Sequence, residues 1–160
     1  MNKEQIEILV VEPEKKPYVK TIDNSLQAMQ EVVGGYIEPI YFDDVAIVVN
    51  EEGKINGLSL NRSLYDESGD RFDIIAGTFF VCGLGEENFT SLNEKQKEQY
   101  AKEFYPAEIF LPNGKGGIDS YRIHPADDIK KRQLKIKSRN AKNNPRIFLL
   151  SRLCYYPDHF

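Results

Sequence analysis

The residues whose types could do acid–base or metal chemistry are two histidines, His124 and His159, and four pairs of adjacent carboxylates. A catalytic triad needs a nucleophile, a base within reach of it and a third group that orients the base. A hard cation needs three or more converging oxygens, whereas adjacent acids on a turn point apart. Nothing in the spacing of either histidine suggests a triad, so we predict no catalytic residue, no metal site and no cofactor. The carboxylate pairs are Asp43–Asp44, Glu51–Glu52, Glu86–Glu87 and Asp127–Asp128.

Two glycine-rich segments match phosphate-binding loops only in part. Residues 83–88 follow an apolar run, but the third glycine of the Gly-x-Gly-x-x-Gly pattern is missing. Glu86 and Glu87 also stand where a pyrophosphate needs positive potential. Residues 114–117 lack the frame of a P-loop. We interpret both segments as turns.

Asn61 and Arg62 lie between turn signals and form the polar pair best placed to bind a small anion or a partner carboxylate. The reason is that the Arg guanidinium presents a planar fork of donors. The alternative interpretation is a surface ion pair of Arg62 with Asp66, Glu67 or Asp73.

Two cysteines, Cys82 and Cys154, provide neither a disulfide framework nor a Cys-x-x-Cys pair for zinc, and we interpret Cys82 as a core residue. The start of the chain is polar, without the apolar core of a signal peptide. No apolar run approaches the roughly 18 residues of a membrane span. These observations predict a cytoplasmic protein that makes no membrane contact.

Charge is divided unevenly along the chain, although the formal net charge is only −4. Residues 1–129 hold 12 Lys or Arg and 24 Asp or Glu, whereas residues 130–160 hold nine Lys or Arg and a single acid. Such an asymmetry is typical of a chain with a basic nucleic-acid-binding tail. The alternative is that the tail folds back on the acidic body. The candidate nucleic-acid or partner contacts are Lys130, Lys131, Arg132, Lys135, Lys137, Arg139 and Lys142.

The pattern of apolar residues predicts short strands in pairs, without β-α-β alternation. It indicates strands near residues 6–11, 18–22, 36–42, 45–50 and 78–82. Asn24 with Gln27, and Ser91 with Glu94, have the spacing of helix-capping boxes. Gly34–Gly35 and Pro106 would end the two helices. We therefore predict an α+β fold with a mainly antiparallel sheet and two helices, plus a basic C-terminal segment.

The same pattern predicts three parts of the chain. An acidic α+β domain covers residues 1–110, an irregular linker covers residues 111–129, and the basic tail covers residues 130–160. Residues 65–73 are interpreted as a polar loop.

Three segments carry a family resemblance: residues 8–38, the Leu-Ser-Leu-Asn-Arg step at residues 58–62, and residues 73–92 (DIIAGTFFVCGLGEENFTSL). Over about residues 6–104 the chain resembles domain-of-unknown-function family 3846. The resemblance implies a protein of plasmids, phages or integrative elements of Gram-positive bacteria, often encoded near antirestriction and other counter-defence genes. The basic tail lies outside it.

Three functions remain as hypotheses. The first is a non-enzymatic inhibitor that binds a host defence protein, such as a CRISPR nuclease or a restriction enzyme or its nucleic-acid complex, by placing acidic surface in a basic groove. The second is a nucleotide or small-ligand module near Asn61, Arg62, Gly34 and Gly35. The third is a weak enzyme, which the lack of a clustered acid–base set disfavours. The basic tail would add contacts to nucleic acid.

Overall fold

The computed structural model describes residues 3–129, which form ten strands and three short helices and confirm the predicted α+β class. No helix in this range is long and apolar enough to span a membrane. Every strand pair in the range is antiparallel. The elements are β1 Gln5–Val11, β2 Tyr18–Asp23, α1 Leu26–Val33, β3 Ile37–Phe42, β4 Val45–Asn50, β5 Leu60–Tyr65, β6 Arg71–Ala76, β7 Phe79–Leu84, β8 Phe89–Thr90, α2 Glu94–Glu103, β9 Ala107–Pro112, β10 Ile118–Ile123 and a helical turn over 126–129.

A six-stranded sheet forms the centre of the molecule, in the order β2-β1-β7-β4-β3, with the short β8 paired to β7. Every residue of β4 is buried. A strand that is buried on both faces needs apolar side chains in both directions. The apolar runs at residues 8–11 of β1, 45–49 of β4 and 79–82 of β7 are therefore a consequence of their central position.

Alternate side chains of the central strands pack into two separate cores, because successive residues of a strand point to opposite faces. Ile8, Ala46 and Phe80 pack on the face that is covered by α1. The opposite face, which includes Leu9 and Ile47, is covered by α2 and by the β5–β6 hairpin.

Helix α1 begins one residue later than predicted. Its N-cap is Ser25, whose Oγ accepts a hydrogen bond from the Ala28 backbone N–H at 3.2 Å. The Asn24 side chain instead donates to the Phe89 carbonyl at 3.0 Å, which ties the start of α1 to β8. Gly34 ends the helix with a φ of 77°, as predicted. The side chain of Leu26, the first residue of the helix, is 60% exposed.

Helix α2 also begins later than predicted. Asn93 and Gln96 form the capping box two residues beyond the expected Ser91–Glu94 pair. Ser91 Oγ accepts from the Glu7 backbone N–H at 3.0 Å, so this hydroxyl fastens the chain to β1 before the helix starts. Tyr100 is the buried residue of the helix and packs near Phe104 at its end.

The predicted polar loop at residues 65–73 is right only at its centre, because both of its ends lie in strands. Strand β6 begins at Arg71 and pairs with β5 to form a hairpin whose turn covers residues 66–70. The sequence hid this hairpin because β5 contains Asn61, Arg62 and Ser63, three polar side chains that are buried. Alternation of polar and apolar residues does not reveal a strand whose polar residues point inward.

The predicted irregular linker at residues 111–129 is also wrong. Strand β10 lies within it and pairs along its full length with β9, from Ile118 opposite Pro112 to Ile123 opposite Ala107. The pair Ala107–Ile123 is completely buried. A helical turn follows and packs beside the β1–β2 turn, where the Ala126 backbone N–H donates to the Glu14 carbonyl at 2.7 Å. The acidic domain therefore extends to residue 129.

Candidate functional site

The guanidinium of Arg62 is buried and its hydrogen bonds are complete. The residue is 1% exposed, and its Nη2 donates to the Lys15 carbonyl at 2.7 Å. Nε and Nη2 both donate to the Phe104 carbonyl, at 3.1 and 3.0 Å. Nη1 donates to the carbonyl and to the side-chain oxygen of Asn61, at 3.2 and 2.8 Å. All five N–H groups of the guanidinium are thus in use, and none is left for an anion in this arrangement.

Asn61 completes this arrangement and is itself fully buried. Its Nδ2 donates to the carbonyls of Val11 and Gly77, both at 2.9 Å. We call Asn61, Arg62 and the backbone carbonyls that they hold the arginine clamp. It joins the end of β1, the β1–β2 turn, the β6–β7 turn and the end of α2.

Burial lowers the pKa of Arg62 to about 10, while the charges of Glu108 and Asp127 act in the opposite direction. The guanidinium therefore stays protonated at neutral pH and keeps all of its donors. The predicted surface ion pair with Asp66, Glu67 or Asp73 is wrong. Asp73 pairs with Lys54 instead, because Arg62 points into the core.

Gly34 and Gly35 belong to the end of α1. Gly34 adopts the left-handed conformation that glycine reaches without strain. A Cβ on Gly35 would lie 2.8 Å from the Nδ2 of Asn50, which donates to the Val33 carbonyl. The geometry gives both glycines a part in ending the helix, and no described contact brings them to Asn61 or Arg62.

Glu108 is a buried acid that no sequence motif singled out. It is 6% exposed, and its carboxylate accepts from the backbone N–H and the hydroxyl of Ser63, at 2.9 and 2.6 Å. These bonds attach β9 to β5. Because its charge also acts on Arg62, Glu108 supports the arginine clamp from the neighbouring hairpin.

The Asp43–Asp44 pair lies on the β3–β4 turn, as predicted, but Asp44 has specific partners. It accepts from the side chain of Gln96 at 2.7 Å and from the hydroxyl of Tyr100 at 3.2 Å. The bond from Gln96 is the main reason that the pKa of Asp44 is lowered. Burial, and then the charge of Asp44, raise the pKa of Tyr100. Within residues 3–129 no group of His, Cys, Asp or Glu has the arrangement of a metal site.

The glycine-rich segment at residues 83–88 contains the end of β7 and, at residues 85–88, the predicted turn. Gly83 pairs with Thr90 across it, and the Gly85 backbone N–H donates to the Asn88 carbonyl at 2.9 Å. A Cβ on Gly83 would lie 2.6 Å from the Ser91 carbonyl oxygen, so the close approach of the two strands requires glycine there. The segment at residues 114–117 is likewise the turn between β9 and β10.

An open groove of about 460 Å³ lies between the start of α1, β3 and the β7–β8 turn. Three of its lining side chains are large, apolar and exposed: Leu26, Tyr41 and Leu84. Glu86 and Glu87 line it as well, so the turn that looked unremarkable in the sequence forms one wall. We call this feature the acidic groove. Its lining residues are Asn24, Ser25, Leu26, Met29, Tyr41, Leu84, Gly85, Glu86, Glu87, Asn88 and Phe89.

The remaining candidate residues divide between the core and the undescribed part of the chain. Cys82 is completely buried in β7, as predicted, and burial raises the pKa of its thiol to about 12. His124 is partly buried and directly follows β10. Cys154 and His159 lie outside the described residues. So do the predicted tail contacts Lys130, Lys131, Arg132, Lys135, Lys137, Arg139 and Lys142.

Comparison with known family models gives a match over the part of the chain that contains the central sheet, the β5–β6 hairpin and both α1 and α2. A family model described as "Domain of unknown function (DUF3846)" matches residues 6–105, from the start of β1 to just beyond α2. No curated protein and no solved structure matches the chain. The β9–β10 hairpin falls outside the matched range, although Glu108 joins it to β5. Since the match covers well over half of the sequence, the chain belongs to the DUF3846 family.

Proposed function

We propose that this protein is a non-enzymatic inhibitor carried by a mobile genetic element. It binds a host nucleic-acid-processing protein, a CRISPR nuclease or a restriction enzyme, with the acidic body in the groove that normally holds nucleic acid. The observation that carries the proposal is the charge of residues 1–129, where acids outnumber Lys and Arg two to one. Placement on a mobile element rests on the family resemblance alone.

The 12 basic side chains of the body can offset only half of its 24 acids, and several of them are paired with particular carboxylates or are buried. Lys16 pairs with Asp128, Lys54 with Asp73, and Lys97 with both Glu7 and Glu94. Arg62 is buried in the arginine clamp. A surface with excess charge of one sign attracts partners of the opposite sign and speeds their encounter.

Many of the acids are exposed and lie on several turns around the body. A nucleic-acid groove on a nuclease is lined by Lys and Arg that neutralise phosphates. Carboxylates spread over a rigid surface can engage the same cations. The exposed acids include Glu38, Glu51, Glu52, Asp66, Glu67, Asp70, Glu86, Glu87 and Glu98.

The proposal is tested by the binding of the full chain to a purified CRISPR nuclease and a purified restriction endonuclease over a range of salt concentrations. We expect affinity to fall steeply with salt, and to fall again when exposed acids are changed to lysine. Binding that persists at about 1 M salt and is indifferent to those changes would overturn the mimicry mechanism.

A second candidate function is supported by the charge of the basic tail. Nine Lys or Arg stand against one acid in residues 130–160, and such a segment is attracted to phosphate backbones. The tail would then hold nucleic acid near the inhibited protein. Deleting residues 130–160 should abolish duplex DNA binding by the chain, and equal DNA binding by the shortened chain would refute this role.

A further inference from the structure

We propose that the acidic groove is the docking site for an arginine-rich, extended segment of the partner protein. The proposal rests on the proposed function and names the surface and the partner chemistry through which the body would bind. It assigns one specific contact within an otherwise dispersed acidic surface.

The groove concentrates exposed apolar area. Leu26 is 60% exposed, Tyr41 68% and Leu84 39%, and all three line it. Beneath them lies Met29, which is 5% exposed and packs in the core on the α1 face. Apolar side chains that are grouped at an opening, with polar groups around them, are typical of an interaction site. Tyrosine in particular is enriched among the residues that dominate binding energy.

The charge of the groove selects a cationic occupant. Glu86 and Glu87 line one wall, whereas no Lys or Arg is among the lining residues. An arginine matches this combination better than any other side chain. Its aliphatic stem can cover Leu84 or Leu26, its planar head can stack on the Tyr41 ring, and its fork of donors fits a carboxylate. Lysine lacks the planar head, so an arginine segment should bind more tightly than a lysine segment.

The walls of the groove are held in place before any partner arrives. The Asn24 side chain donates to the Phe89 carbonyl and thereby joins the start of α1 to the β7–β8 hairpin. The hairpin is closed by the bond from the Gly85 N–H to the Asn88 carbonyl. A site that needs no ordering on binding loses less conformational entropy when it is occupied.

A charge-matched pair of variants tests the groove directly. Glu51 and Glu52 follow β4, whereas Glu86 and Glu87 follow β7, and the two strands run antiparallel. The two acid pairs therefore lie at opposite ends of the same ladder. E86K/E87K and E51K/E52K alter net charge equally, but only the first changes the groove.

The probe is a fluorescein-labelled peptide of alternating arginine and glycine, with a lysine–glycine peptide beside it. Its affinity for the full chain is measured by fluorescence anisotropy. We expect E86K/E87K to weaken arginine-peptide binding by about tenfold or more, and E51K/E52K by less than about threefold. Tyr41→Ser should weaken the arginine peptide more than the lysine peptide.

Three results would overturn the assignment. Equal weakening by both double variants would mean that only net charge matters. Failure of the wild-type chain to bind the arginine peptide at about 1 mM would exclude the site. Binding that emerges only after residues 130–160 are removed would assign the groove to the chain's own basic segment instead of a partner.

The two double variants also separate this inference from the proposed function when binding to a responding nuclease is measured. If both weaken nuclease binding equally, the acidic body acts as proposed but the groove has no special part. If neither weakens it, the groove has no part in that binding, whereas the proposed function is overturned by nuclease binding that is insensitive to salt and to reversal of the other exposed acids.

Discussion

Polar residues lie beside the two ends of the six-stranded sheet, in opposite surroundings. At one end, Asn61 and Arg62 of the β5–β6 hairpin are buried and bind backbone carbonyls of four separate segments. At the other end, Glu86 and Glu87 are exposed beside apolar side chains that the core does not cover. The comparison teaches that charge at a turn does not by itself indicate a binding surface. Arg62 stabilises the fold by binding backbone carbonyls in the interior. Glu86 and Glu87, on a turn with no recognisable motif, line a groove.

Arg62→Ala should cause the largest loss of stability. The change removes a buried charge and leaves the carbonyls of Lys15 and Phe104 without donors in the interior. We expect the free energy of unfolding to fall by about 3–5 kcal/mol, measured by urea denaturation. Lys115→Ala, at an exposed position on the β9–β10 turn, is the control and should change it by less than about 0.5 kcal/mol.

If Arg62→Ala left stability unchanged while weakening partner binding, Arg62 would be a ligand contact and the contrast between the two ends would be lost. Arg62→Lys should recover only part of the stability, because one ammonium cannot reach all of the carbonyls.

Glu108→Ala should lower the free energy of unfolding by about 1–3 kcal/mol, which is less than the loss expected for Arg62→Ala. The substitution leaves the buried N–H and hydroxyl of Ser63 without their acceptor and detaches β9 from β5. Glu108→Gln keeps an acceptor oxygen and should be less harmful. The measurement is the same urea denaturation, and identical behaviour of the two variants would show that the hydrogen bonds to Ser63 contribute nothing.

Gly34→Ala should lower the free energy of unfolding, measured by urea denaturation, by about 1 kcal/mol. The reason is that the left-handed φ of 77° strains a residue with a Cβ. No atom lies within 4 Å of the added Cβ, so the cost is confined to the backbone conformation. A nucleotide-binding role for this turn would instead predict a loss of thermal stabilisation by nucleotide, with little change in the unliganded chain.

E86K/E87K should have the smallest effect on stability, with a change in the free energy of unfolding below about 0.5 kcal/mol. Both side chains are exposed and no described bond depends on either carboxylate. A clear loss of stability would mean that these acids help to hold the β7–β8 hairpin. The acidic groove would then have a structural role, like the arginine clamp.

Much of the central sheet could be predicted from the sequence, for physical reasons that particular residues show. The run from Val45 to Asn50 predicts β4 with its observed bounds, because its five apolar residues suit a strand that is buried on both faces. Gly34 predicts the end of α1 because few other residues adopt a positive φ there. The β1–β2 hairpin and the antiparallel α+β class were confirmed in the same way.

The rest depended on contacts between residues that are distant in the chain. Strand β5 was missed because Arg62 is satisfied by Lys15 and Phe104, 47 and 42 positions away. Strand β10 was missed because its buried residue, Ile123, is fixed by pairing with Ala107. Tyr41 and Glu86 both line the acidic groove because β3 and β7 pair with β4 on either side. No local sequence pattern predicts this proximity.

The most direct test of the proposed function is a competition between this chain and duplex DNA for a nuclease that binds it. The apparent Kd of the full chain is measured at increasing concentrations of a DNA duplex that the nuclease binds. If the acidic body occupies the nucleic-acid groove, the apparent Kd should rise in proportion to the DNA concentration once the DNA is above its own Kd. An apparent Kd that stays constant at saturating DNA would contradict occupation of that groove.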